Sequence, residues 1–201
     1  MTVRRTFFSF HYQPDCRRAW NVRNSWVVRP ADEESRGFFD ASVFEKSKRE
    51  GEQALKTFLR KGLENTSVTC VLAGTETWSR RWVRYEIARS VLKGNGLLTV
   101  HIHGVRDMNN GTCAKGPDPL TAMGLYRTAN GIFFAEWSGG KWVRYADHSA
   151  AVPETDLWFA APPDNHVVAL SVHCSAHDFA TDDGRNRISA WIEAAATRAG
   201  R

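Results

Sequence analysis

The stretch SVTCVLAGTETWSRRWVRYEIARSVL, residues 67–92, predicts a strand, a turn and a helix in immediate succession. Residues 67–73 are almost continuously apolar, which is typical of a parallel strand that is covered on both faces. The helix predicted over residues 78–92 ends at Gly94-Asn95-Gly96, a strong stop signal, and another apolar run follows at residues 97–102. This order predicts a β/α unit with a parallel sheet.

The helix predicted over residues 78–92 carries one glutamate beside its apolar face. Side chains three and four positions apart share a side of a helix, so Val83, Ile87 and Val91 form an apolar stripe. Glu86 lies at the edge of this stripe, on the same side as Trp82. Two interpretations follow: a solvated glutamate on an ordinary amphipathic helix, or a carboxylate that faces a pocket.

The rest of the chain extends the alternation of strands and helices and then changes character. Residues 104–119 predict a polar loop, and residues 124–145 predict antiparallel hairpins with turns at Asn130-Gly131 and Gly139-Gly140. The remaining predicted elements are strands at 5–10, 37–44 and 166–174 and helices at 16–28, 50–63 and 187–199, with Asp15 as a cap before the helix at 16–28.

Composition narrows the class of protein. The chain has 201 residues with a net charge of +5, which favours an anionic ligand, but no dense run of Lys and Arg with interleaved aromatics indicates nucleic acid as the main one. The four cysteines lack metal-ligand spacing, which predicts free thiols and no metal site. Without a signal peptide or a membrane-spanning stretch, the sequence predicts a cytoplasmic protein.

Ligands of open parallel sheets bind beyond the carboxyl ends of the strands. This rule predicts a binding rim formed by residues 10–12, 40–44 and 74–78, where the helix with Glu86 also begins. A receiver-like phosphoacceptor would need clustered acids after the first strand to hold Mg²⁺. Residues 10–13 supply none, so this class is disfavoured.

Several strings of this sequence carry a resemblance to a known family. The first strand FFSFHY and the helix motif WSRRWVRYEI resemble those of TIR domains over about residues 4–103. The runs FDAS, NTSVTCVL and EW-GGKW extend the resemblance to the TIR-like proteins of bacterial Thoeris anti-phage defence, of the ThsB type. The resemblance implies a flavodoxin-like TIR fold: one domain over residues 1–201, with a core at about 4–103 and 166–199 and a β-rich insertion at about 104–165.

The resemblance also implies an activity. Catalytic TIR domains cleave the nicotinamide–ribose bond of NAD, and their third-helix glutamate corresponds to Glu86. NAD would be the substrate, with no further cofactor. The β-rich extension would favour a cyclic ADP-ribose-type messenger that a separate effector protein reads, and the protein would form a homo-oligomer on activation. The side chains expected to bind substrate are Phe8, Phe10, His11, Tyr12, Asp40, Trp82 and Arg84.

Two other functions remain open at this point. The domain would be a non-catalytic assembly or adaptor module if Glu86 lay on an open surface. It would be a deoxyribosyltransferase-like enzyme if Glu86 acted as a covalent nucleophile. The position of Glu86 relative to the first strand is the observation that distinguishes the adaptor from the enzymes.

Overall fold

The computed structural model describes residues 4–26 and 49–201. The predicted strand at 37–44 and the candidate site residue Asp40 lie outside the described residues. In chain order the helices and strands are β1 (Thr6–Phe10), α1 (Tyr12–Trp26), α2 (Glu52–Leu63), β2 (Val68–Ala73), α3 (Arg81–Leu92), β3 (Gly96–His101), β4 (Met123–Thr128), β5 (Gly131–Ser138), β6 (Lys141–Arg144), β7 (Val167–Ala169), β8 (Ser175–Asp178) and α4 (Gly184–Arg198).

The strands form two sheets of different kinds. The first sheet has the order β1-β2-β3-β8, and all its pairs are parallel. The second has the order β6-β5-β4-β7, and all its pairs are antiparallel. Helices flank the parallel sheet, so the predicted α/β class with an added β-rich part is confirmed.

The two faces of the parallel sheet pack against different layers, because successive side chains of a strand point to opposite faces. On one face, Cys70 and Leu98 belong to an apolar cluster with residues of α1 and α4. On the other face, Val71 and Leu97 pack with residues of α3 and of the antiparallel sheet. Helix α3 therefore lies between the two sheets.

The segment that leads into α3 differs from its prediction. A 3-10 turn at Thr77–Ser79 comes first, and the α-helix begins only at Arg81, after Arg80 in extended conformation. Helix α1 also begins earlier than expected, at Tyr12, so Asp15 lies within the helix and is not its cap. Asp15 is buried and pairs with Arg18, one turn along the same helix.

The predicted returning strand at residues 166–174 is wrong as a strand of the parallel sheet. Val167–Ala169 instead pairs antiparallel with β4, and a 3-10 turn at Leu170–Val172 ends it. The strand that returns to β3 is Ser175–Asp178. It escapes prediction because its four residues, Ser-Ala-His-Asp, contain no apolar run.

The hairpin prediction is confirmed. Strands β4 and β5 pair through the turn before Gly131, and β5 and β6 pair through Gly139-Gly140, where both glycines have positive φ.

All four cysteines are free. Within the described ranges 4–26 and 49–201, no helix is long and apolar enough to cross a membrane.

Candidate functional site

Glu86 lies in the interior, between α3 and the parallel sheet. Its residue is 4% exposed, and its carboxylate accepts a hydrogen bond from the hydroxyl of Ser9 on β1. The alternation along β1 explains the contact: Ser9 points toward α3, whereas Phe8 points to the opposite face. Glu86 is therefore not a solvated surface residue, and a polar side chain near the carboxyl end of β1 holds it.

Burial changes the acidity of this carboxyl group. Loss of solvent raises the pKa of Glu86 to about 8, and the hydrogen bond from Ser9 opposes this rise. This shift favours the protonated form of the carboxyl group. A cationic ligand beside it would stabilise the carboxylate and shift the equilibrium toward ionisation.

A chain of polar side chains fixes α3 behind Glu86. The Asn95 amide donates to the Thr69 hydroxyl over 3.3 Å, and the hydroxyls of Thr69 and Ser90 bond at 2.7 Å. Ser90 in turn donates to the backbone carbonyl of Glu86 over 2.7 Å. Because these groups are buried and paired, they define the rotation and position of α3 against the sheet.

The structure does not bring all the predicted side chains to Glu86. Phe8 is buried in the apolar cluster on the other face of the sheet, and Phe10 packs against the same cluster. Both side chains therefore pack on the face of the sheet away from Glu86, and their binding of substrate stays a prediction. The reason is the two-residue period of β1, which leaves Ser9 between them on the α3 side. Ser9 is the site residue that the sequence reasoning missed, although this alternation could have identified it.

His11 and Tyr12 lie where β1 ends, and Trp82 lies where α3 begins. Tyr12 and Trp82 pack against the same small apolar cluster of α2 and α3, and the Trp82 ring meets Tyr85 edge to face at 6.0 Å. His11 follows β1 directly, and its buried Nδ1 has no hydrogen-bond partner among the described residues. Burial, with a smaller contribution from Arg80, lowers the pKa of His11.

Arg84 faces the antiparallel sheet rather than Glu86. Its guanidinium forms an ion pair with Glu136 on β5 and donates to the carbonyl oxygen of Trp137 over 2.9 Å. Its Nε donates to the carbonyl oxygen of Trp78 over 3.2 Å. These contacts give Arg84 a structural role in joining α3 to β5.

A buried ion pair shapes the rim between β1 and β2. Asp15 and Arg18 lie 3.2 Å apart, and Arg18 also donates to the carbonyl oxygens of Val105 and Gly111. Gly74 follows β2 and packs directly on Asp15: a Cβ at this position would lie 2.1 Å from Asp15 Oδ2. The glycine is therefore required for this close approach.

A second polar cluster lies at the carboxyl ends of β3 and β8. His103 Nδ1 lies 3.6 Å from Asp178 Oδ2, and the Lys115 ammonium lies 3.7 Å from the same oxygen. His101 is buried, and its Nδ1 has no hydrogen-bond partner in the described part of the chain. The sequence reasoning missed this cluster, although the His-x-His pattern at the end of β3 was a usable signal. Within residues 4–26 and 49–201, no group of three His, Cys, Asp or Glu side chains is placed to hold a metal ion.

The fold and the site together define a class of protein. A parallel sheet flanked by helices, with a buried glutamate on the helix after β2, is the arrangement of a TIR-like α/β protein. The family model described as "Thoeris protein ThsB, TIR-like domain" matches residues 7–107. The chain is also 39% identical over 193 residues to a candidate cyclic ADP-D-ribose synthase, ThsB1, of Bacillus cereus (strain MSX-D12), and the match covers 94% of this chain and 99% of that protein. The chain therefore belongs to the ThsB family of TIR-like Thoeris proteins.

Proposed function

We propose that this protein cleaves NAD at the nicotinamide–ribose bond and that Glu86 stabilises the developing ribosyl cation. The observation that supports this proposal is the buried carboxyl group of Glu86, held by Ser9 beside the carboxyl end of β1. A carboxylate with little access to water interacts strongly with a nearby positive charge. Glycosyl transfer passes through such an oxocarbenium-like state.

The chemistry needs only one carboxylate. The bond between C1′ of the ribose and the pyridinium nitrogen breaks, and its electron pair leaves with nicotinamide, which becomes a neutral base. No proton has to be delivered to the leaving group, so the second carboxyl group of ordinary glycosidases is unnecessary. The pyridinium charge of bound NAD also favours ionisation of Glu86, whose pKa is about 8 in the free protein.

The product that we propose is a cyclic ADP-ribose-type nucleotide. An internal hydroxyl or ring nitrogen of the ADP-ribosyl group forms a bond to C1′ of the cation, and the proton that this group loses is released to solvent. The burial of Glu86 supports this route because water is the competing nucleophile. The Bacillus cereus relative is named as a candidate synthase of cyclic ADP-D-ribose, which supports this choice of product. In a Thoeris system, this messenger would activate a separate effector protein after phage infection.

The test compares cells that carry the wild-type protein, the Glu86→Gln variant or the control variant Glu154→Gln, whose glutamate is exposed and pairs with Arg127. Nucleotides are extracted after phage challenge and identified by mass spectrometry. We expect nicotinamide and a cyclic nucleotide in the wild type and the control, and neither above background in Glu86→Gln. Equal product from the Glu86→Gln variant would refute the catalytic role of Glu86. Only linear ADP-ribose from the wild type would refute the cyclisation.

A further inference from the structure

A groove of about 500 Å³ lies between the carboxyl-terminal ends of α2 and α3. Both helices end where the chain turns back into a parallel strand, so the groove is at the amino-terminal end of that sheet, opposite the rim near Glu86. Four cations line it, above an apolar floor of two leucines: Arg60, Lys61, Arg89, Lys93, Leu63 and Leu92. One carboxylate, that of Glu64, also lies in the lining.

The other cations of α2 and α3, unlike those of the groove, are paired with carboxylates of the described residues. Near the rim, Lys56 and Arg81 share Glu52 and Asp147, and Arg84 pairs with Glu136.

No salt bridge to any of the four groove cations is formed within the described ranges of the chain. Carboxylates thus neutralise the cations toward the amino-terminal ends of α2 and α3. The cations near the carboxyl-terminal ends, which line the groove, keep their positive charge.

Stabilisation of helix ends accounts for only part of this positive charge, since Arg60, Lys61 and Arg89 lie in the last turns of α2 and α3. Cations near a helix carboxyl terminus offset the helix dipole, but Arg201 already serves α3, where it donates to the carbonyl oxygens of Lys93 and Gly94. The Lys93 ammonium is bound to the carbonyl oxygen of Thr66. Arg60 donates to the hydroxyl of Thr57 over 3.1 Å, but neither Arg60 nor Arg89 is bound to a carboxylate among the described residues. Both guanidinium groups can therefore still bind an anionic group.

We infer that this groove is an interaction surface for an acidic peptide segment of a partner protein. Two arginines, Arg60 on α2 and Arg89 on α3, suit carboxylates, because a guanidinium binds a carboxylate through two parallel hydrogen bonds. Leu92, which is half-buried, suits an apolar side chain between the acidic ones. A partner bound here leaves the rim near Glu86 open to substrate, since the groove is at the other end of the sheet.

The lining favours a peptide over a nucleic acid. Single-stranded nucleic acid is bound largely by stacking of bases on aromatic side chains, and no residue in the lining is aromatic. Duplex binding would require an extended basic surface, whereas this groove holds only four cations and one carboxylate.

The test measures the anisotropy of a short fluorescein-labelled peptide of glutamates with a central leucine. The full-length protein is compared with a double variant, Arg60→Glu with Arg89→Glu, and with a charge-matched control, Arg106→Glu with Lys141→Glu, whose side chains are exposed and outside the groove. We expect the groove variant to weaken binding by at least about tenfold and the control by less than about twofold. Circular dichroism checks folding, and Arg60→Gln with Arg89→Gln replaces the groove variant if it unfolds.

The possible contrary results are distinct. Equal weakening in the groove variant and the control would show nonspecific attraction and overturn the proposal. Tighter binding of a labelled oligonucleotide or of inorganic polyphosphate than of the peptide, lost in the same groove variant, would assign the groove to another class of ligand and also overturn it. The assay does not depend on NAD cleavage, so its outcome is independent of the function proposed for Glu86.

Discussion

The hydroxyl of Ser9 donates a hydrogen bond to the carboxylate of Glu86, although the two residues are 77 positions apart in the chain. Both residues are buried. The contact joins β1 to α3, and this hydrogen bond opposes the effect of burial on the pKa of the carboxyl group. Ser9 is therefore a positioning residue for the proposed catalytic group.

The Ser9→Ala variant should shift the pH dependence of NAD cleavage. Because the Ser9 hydrogen bond lowers the pKa of Glu86, its loss should raise that pKa further and leave less carboxylate at neutral pH. We expect kcat/KM at pH 7 to fall by roughly tenfold and the rising limb of the pH profile to move to higher pH. The Ser9→Thr variant keeps the hydroxyl and should restore the profile. An unchanged midpoint in Ser9→Ala would contradict the role of Ser9.

The Glu86→Gln variant should change the pH dependence of folding stability. The pKa of Glu86 is raised to about 8 in the folded protein, above that of an unfolded glutamate, so the folded state binds the proton more tightly. The wild-type free energy of unfolding should therefore fall, through this group, as pH rises from about 4.5 toward about 8.

The Glu86→Gln variant lacks this ionisation. Its Tm should therefore rise relative to that of the wild type as the pH increases across the same range. Thermal unfolding of both proteins at pH 5 and pH 8.5 measures the difference. A constant difference in Tm at the two pH values would show that Glu86 does not titrate as proposed.

Two ion pairs near the ends of the chain, Asp15–Arg18 and Arg4–Glu193, should contribute very differently to stability. Asp15 and Arg18 are both buried, with side chains 2% and 3% exposed, so Asp15→Ala leaves an uncompensated charge inside the protein. We expect a loss of about 3 kcal/mol or more in the free energy of unfolding. Arg4 pairs with Glu193 at the surface, and Arg4→Ala should cost less than about 1 kcal/mol. Urea unfolding measures both, and similar losses would contradict the buried pairing.

Arg84 and Glu136 should behave as a coupled pair that supports the fold. The Arg84→Ala variant leaves Glu136 without its partner, and we expect a loss of about 3 kcal/mol. The double variant with Glu136→Ala should recover part of this loss in a double-mutant cycle. The KM for NAD should stay unchanged in both folded variants. A raised KM without a change in stability would instead support the prediction, made from the sequence, that Arg84 binds substrate.

The sequence by itself determined the parallel β/α order. The apolar runs of β2 and β3, the helix between them and its glycine stop are local patterns, and each is decided by burial or by backbone conformation within a few residues. The turn glycines between β5 and β6 likewise predicted the hairpin there. Glu86 was identified as the candidate catalytic residue through the resemblance of its helix motif.

Only the tertiary structure decided what surrounds Glu86. The contact with Ser9 depends on which face of β1 meets α3, and the pairing of Arg84 depends on where β5 packs. The returning strand Ser175–Asp178 was likewise fixed by its place at the edge of the sheet next to β3. These features arise between segments far apart in the chain, where local propensity carries no information about which side chains meet, because packing and not sequence spacing sets their distances.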